Sequence, residues 1–229
     1  ALLQASTQSA SHLQTALFML PIIEEPAKSV QSQDLSFHLS LFIEGRYPKQ
    51  TEYQQRVQRL AHALSVKADI TQVSIGLIGE VLALGFPDRL AIAKGSLGQF
   101  QLSNGHGVQV DEIESIAQSD YLVVVDLLKG SQNRSYVFLA ASLSKSSLFS
   151  AVSHLMIEKE YVDWDEKSGR IVAEKRTYLG RVILQKERMS SPDPDKISLA
   201  LLNMLKRKGI ESLDWNKEVQ ALHSRLLCC

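Results

Sequence analysis

Apolar residues recur at helical spacing through the first third of the chain and at every second position after about residue 93. Leu35, Leu39 and Phe42 mark one side of a short helix, with Asp34 placed to cap it and Gly45 and Pro48 to close it. Over 52–64, Val57, Leu60, Ala61 and Leu64 share a face, while Gln54, Gln55, Gln58 and Arg59 fall mostly opposite, so this helix turns one side to a core. A third helix is predicted over 71–84 from Ile75, Ile78, Val81 and Leu82, stopping at Gly85 with Pro87 beyond. Gly76 and Gly79 weaken it as an isolated helix.

The period then becomes two. Phe100 and Leu102, the turn dipeptide Asn104-Gly105, and Val108 and Val110 predict a β-hairpin. Near-continuous apolar runs at 121–128 and 136–140 predict two buried strands, separated by a turn-rich 129–135. A short helix follows over 143–155, then strands over 162–164, 170–179 and 181–187. A small barrel interrupted by that helix is the economical closure. After a polar, proline-punctuated linker at 190–195, Ile197, Leu201, Leu202 and Leu205 mark a last helix ending at Gly209. The pattern predicts an α+β chain: an N-terminal helical bundle, a β-barrel with an inserted helix, and C-terminal helices. Val219, Leu222 and Leu226 carry helical spacing to the last residues and the first residue is Ala1, so a longer parent chain is expected.

Charge changes this picture only locally. The 229 residues hold 25 lysines and arginines against 25 aspartates and glutamates, so no net field steers the molecule to nucleic acid or membrane. The apolar run at 16–23 is broken by Pro21 and is too short to span a bilayer or serve as a signal peptide, which predicts a soluble protein without a membrane partner. The only cysteines, Cys228 and Cys229, are adjacent and have no other thiol to pair with, which fits a reducing cytoplasm. Asn133-Arg134-Ser135 has the glycosylation pattern, but no secretory signal would bring it to the modifying machinery.

Motifs with strict spacing are missing. There is no Gly-x-x-x-x-Gly-Lys-Ser/Thr loop, Gly-x-Ser-x-Gly elbow, His-Glu-x-x-His or Cys-x-x-Cys. The histidines (His12, His38, His62, His106, His154, His223) are scattered, with no pair three or four apart to chelate a metal from one helix face. No catalytic residue and no metal site are predicted. Asn104-Gly105-His106-Gly107 resembles an anion nest but reads more simply as a hairpin turn. Glu158, Glu160, Asp163, Asp165 and Glu166 suggest a cation site, yet their alternation and turn position suit exposed strand and loop charges. Lys206, Arg207 and Lys208 complement a helix C-terminus without any ligand.

Between 170 and 188, Arg170, Lys175, Arg176, Arg181, Lys186 and Arg188 stand against only Glu174 and Glu187. Such a strand pair suits phosphates, and Tyr178 offers a stacking surface for a base. A solvated sheet face, balanced by the acidic strand before it, accounts for the same residues.

The ordered series Leu84-Gly85-Phe86-Pro87-Asp88-Arg89-Leu90-Ala91, then 100–107, 121–126, Val162-Asp163-Trp164-Asp165 and Tyr178-Leu179-Gly180 resembles the bacterial HrpB family of DEAH-type ATP-dependent helicases. The resemblance runs from about Asp34 to the end and includes Leu213-Asp214-Trp215, similar to the entry of that family's C-terminal extension. It implies a helicase-associated, ratchet-like helical region over 1–92, an oligonucleotide-binding (OB)-type barrel over 93–190, and a linker with helices over 191–229 leading into a truncated extension. All of these lie downstream of the motor. The family's phosphate loop and Asp-Glu-x-His box are absent: Asp111-Glu112-Ile113-Glu114 and Asp165-Glu166-Lys167-Ser168 begin like the latter without its histidine. ATP and magnesium are thus implied for the parent's motor domains and not for this chain, which should be inactive alone. The implied partners are single-stranded RNA or DNA and the parent's motor and C-terminal domains. A structural or protein-interaction module without nucleic-acid contact is the alternative, and an independent enzyme is disfavoured by the missing motifs.

Overall fold

The structure, a computed structural model, describes residues 5, 8–129 and 135–209. They fall into two compact units, Ala1–Ile157 with Tyr178–Leu184, and Glu158–Thr177 with Gln185–Cys229.

In the first unit, helices come before strands. Helix α1 (Ala10–Glu24) starts at Ser9, whose hydroxyl accepts the His12 N–H. Gln14 to Met19, Pro21 and Ile22 are all buried, so this helix is enclosed on every side and shows no amphipathic period. That is why the 16–23 run did not announce a helix, and Pro21 sits inside it. Helix α2 (Leu35–Ile43) is capped by the Asp34 carboxylate on the Ser36 N–H, and α3 (Gln50–Ala63) buries the predicted Val57 and Ala61, packs Leu60 and Leu64 partly buried beside them, and adds Tyr53, which the spacing did not name. The stretch expected as one helix over 71–84 is instead two 3-10 turns, Ile70–Gln72 and Ile75–Leu77, followed by helix α4 (Ile78–Gly85). Side chains of α1 take up backbone groups before and within it: Gln14 bridges the Lys67 carbonyl and the Asp69 N–H, and Thr15 exchanges hydrogen bonds with Ser74. Gly79 lies directly against the Ser142 carbonyl, where a side chain would clash with backbone.

Strands β1 (Leu90–Ala93), β2 (Gln99–Leu102), β3 (Gly107–Gln109), β4 (Tyr121–Lys129) and β5 (Ser135–Leu143) close into a barrel in the order β1-β2-β3-β5-β4. The predicted 100–110 hairpin is β2–β3, with Phe100 opposite Val108. Strand β4 is apolar without alternation because both its faces are covered. Leu122 and Val124 fill the barrel, while Val123 and Val125 join the core formed with the helices. The α+β class and an OB-like barrel are therefore present.

The closure between β3 and β5 is short. β3 and β5 pair only at Val108–Ser135 and Gln109–Tyr136, and beyond that the segment before α2 fills the seam. Gln33 accepts the Ala140 N–H on its carbonyl, donates its amide to the Val137 carbonyl, and accepts the Asp111 N–H on Oε1. Glu114 locks the same segment through the Gln33 N–H and the Ser32 hydroxyl.

After helix α5 (Lys145–Val152) come β6 (Met156–Asp165), β7 (Arg170–Leu179) and β8 (Val182–Arg188). They form a separate three-stranded sheet in the order β6-β7-β8, so the strands after the helix do not complete the barrel. Helix α6 (Pro194–Lys208) ends at Gly209 as predicted. The patterns at 213–215 and 219–226, Cys228, Cys229 and the Asn133 motif lie outside the described residues.

Candidate nucleic-acid interface

The seven residues singled out in 170–188 all lie on β7, β8 or the turn joining them. Side chains on a strand point alternately to its two faces, so Arg170, Arg176 and Tyr178 share one face of β7 and Lys175 takes the other. On β8, Lys186 and Arg188 share a face, and Arg181 sits on the turn. One strip of sequence becomes several separate cations.

Two of them are already engaged. Arg176, its side chain only 14% exposed, bonds Glu174 at 2.8 Å and lies 3.3 Å from the centroid of the Tyr161 ring. A cation stacked on an aromatic face beside a carboxylate is held by its own protein. Lys175 meets Glu158 of β6 at 2.6 Å, and this hydrogen bond holds its ammonium above the ordinary lysine range. Tyr178 is half-buried.

The acidic residues of β6 and the following turn are matched similarly. Glu160 pairs with Lys196, Asp163 with Arg207 and Glu166 with Lys208, which ties α6 to β6. Asp165 accepts the Lys167 and Ser168 N–H groups, and the Ser168 side chain first, with these N–H groups behind it, holds its carboxyl below the usual range. No group of three potential metal ligands occurs among the described residues. Arg207 and Lys208, read from sequence as macrodipole partners, thus have definite carboxylate partners as well.

Arg170, Arg181, Lys186 and Arg188 are exposed and form no ion pair among the described residues. The Arg181 N–H donates to the Ser103 carbonyl at 2.8 Å, fixing the β7–β8 turn to the barrel's β2–β3 turn inside the first unit. Sequence reading treated 104–107 and 181 separately, and only the fold joins them. The 104–107 backbone is no open nest: Gly105 N–H is taken by the Leu102 carbonyl and His106 N–H by the Asn104 side chain. Among the described residues, no helix is long and apolar enough to cross a membrane.

Residues 155–189, which hold all seven residues singled out in 170–188, match the family described as ATP-dependent RNA helicase HrpB, connector region. The curated ATP-dependent RNA helicase HrpB of Escherichia coli (strain K12) is 30% identical over 215 residues, covering 93% of this chain and 25% of that protein. The solved E. coli DExH-box NTPase HrpB superposes with a TM-score of 0.69 at 29% identity, covering 97% of this chain and 26% of that one. A second structure, of Escherichia coli DEAH/RHA helicase HrpB, gives 0.68 at 28% identity, covering 96% and 26%. Helices, OB-like barrel and connector sheet in this order define a segment of the helicase class. The family to which the chain belongs is HrpB, and the chain spans about a quarter of the length of the relatives it matches.

Proposed function

We propose that this chain is a non-motor part of an HrpB-type ATP-dependent helicase and helps to hold single-stranded RNA or DNA beside ATPase domains that bind ATP and magnesium, in the cytoplasm. The observation that carries the reading is the set Arg170, Arg181, Lys186 and Arg188, exposed and without ion pairs among the described residues inside the connector region. Cations that a protein does not neutralise itself are the ones able to release counterions from a phosphate backbone. Lys175 and Arg176 have a supporting part here, since their partners Glu158, Glu174 and Tyr161 lie within the sheet.

Fluorescence anisotropy of a labelled single-stranded RNA against the chain, from low to moderate salt, tests this. Two or more phosphate contacts give a log-log slope of about −1.4 or steeper. Replacing the four exposed cations by glutamine should flatten it. Absence of binding even at low salt would reject the proposal and leave the chain as a docking module for other protein domains.

A further inference from the structure

We infer that the β2–β3 turn (103–107) and the β7–β8 turn (180–181) together form a phosphate-binding corner for single-stranded nucleic acid, with Arg181 as its cation. This rests on the nucleic-acid reading above and assigns one contact within it.

The corner is fixed before any ligand arrives. Gly180 has φ +58°, and a Cβ there would stand 2.5 Å from the Ser103 carbonyl oxygen, so the turn approaches the barrel as only glycine permits. The next N–H, from Arg181, donates to that same oxygen at 2.8 Å. The Arg181 stem then lies along Gly105, with Cδ 3.5 Å and Cβ 4.0 Å from where a Gly105 Cβ would be. Ser103 is held from beneath, its hydroxyl donating to the Asp88 carbonyl at 2.8 Å. An arginine whose backbone and stem are both anchored loses little freedom on meeting an anion, unlike Lys186 or Arg188 on an exposed strand end.

The donors left over on the two turns are of the kinds that bind a phosphate. Among the described residues, the Arg181 guanidinium has no hydrogen bond or ion pair. Asn104 uses its Oδ1 to accept the His106 N–H at 3.0 Å, leaving its Nδ2 hydrogens without an acceptor. The His106 ring is likewise without a partner. Gly107, next to His106, has nothing within 4 Å of a built Cβ, so a sugar–phosphate chain meets no obstruction there. The nearby Arg89 is already bound to the Val125 carbonyl and lies over the Phe86 ring, so it contributes field and not a contact.

The test uses the full chain, a labelled oligouridine, and salt titrations of wild type, Arg181→Gln and the double variant Lys186→Gln/Arg188→Gln. Loss of one single-strand phosphate contact lowers the slope by about 0.7, or about 2.5-fold in affinity change between 50 and 200 mM salt. The corner predicts that loss for Arg181→Gln, accompanied in wild type by oligouridine-dependent shifts of the Asn104 side-chain amide and His106 ring signals in NMR. If wild type binds but Arg181→Gln keeps its slope, or if those signals stay still, the corner is wrong while the nucleic-acid reading stands. If wild type does not bind at the lowest salt, both fall.

Discussion

His38 is buried in the helical core and part of a single directed chain of hydrogen bonds. The Ala27 N–H donates to the Tyr47 hydroxyl at 3.0 Å, that hydroxyl donates to His38 Nδ1 at 2.9 Å, and Nε2–H donates to the Ser32 carbonyl at 3.0 Å. The carbonyl can only accept, so the ring is the neutral Nε2–H tautomer. Burial, the largest influence, lowers the His38 pKa, and burial pushes the Tyr47 phenol up to about 12, keeping it a donor. A depressed histidine pKa means that the unfolded chain takes the proton first. Stability is therefore full above about pH 6.5 and declines as pH falls from there to the lowered folded pKa. Urea midpoints from pH 8 to 5 should show this decline in wild type and a weaker one in His38→Gln. The Asp34 cap could be read in advance because capping is local in sequence. The His38 network could not, since its partners lie 6 to 11 residues off in segments without regular spacing.

At the scale of elements, legibility follows whether an element has one face or two. Helix α3 and the β2–β3 hairpin each turn one side to a core, and their patterns named them. Helix α1 is enclosed all round and β1 is only four residues long, and neither was predicted. The candidate strands were found, but adding their charges along the sequence ignored that neighbours on a strand face opposite ways. Glu158 and Glu160 on β6 then bind Lys175 and Lys196, cations from other elements that a linear count cannot pair. Gly79 tests the element packing directly. Alanine would favour the helix by up to about 1 kcal/mol in isolation. Against the Ser142 carbonyl its Cβ forces α4 away from β5, so Gly79→Ala should destabilise by about 1–3 kcal/mol in chemical denaturation. A neutral or stabilising result would show that α4 can move off β5 without loss.

Over the whole molecule, the resemblance in sequence marked a border near residue 92, whereas helices and barrel share one core. Val123, Val125, Leu139 and Leu143 of the barrel strands pack with Leu17, Leu39 and Val81 of the helices. A piece beginning at residue 93 should therefore lack cooperative unfolding by calorimetry, and one retaining 8–189 should keep it. Independent, cooperative folding of the shorter piece would refute the shared-core account. The sheet after α5 was assigned to the barrel because strand patterns give no pairing partner, and only the observed order separates it. Gln33 gives this architecture a further consequence. Its three bonds stitch a seam between residues about 80 to 110 positions away, so that seam forms late when the chain folds. Until then the Val137–Ala140 edge of β5 offers unsatisfied backbone to any passing strand. The segment before α2 thus acts as a guard against aggregation once it is seated, covering in the finished barrel an edge that would otherwise stay open to pairing with another chain.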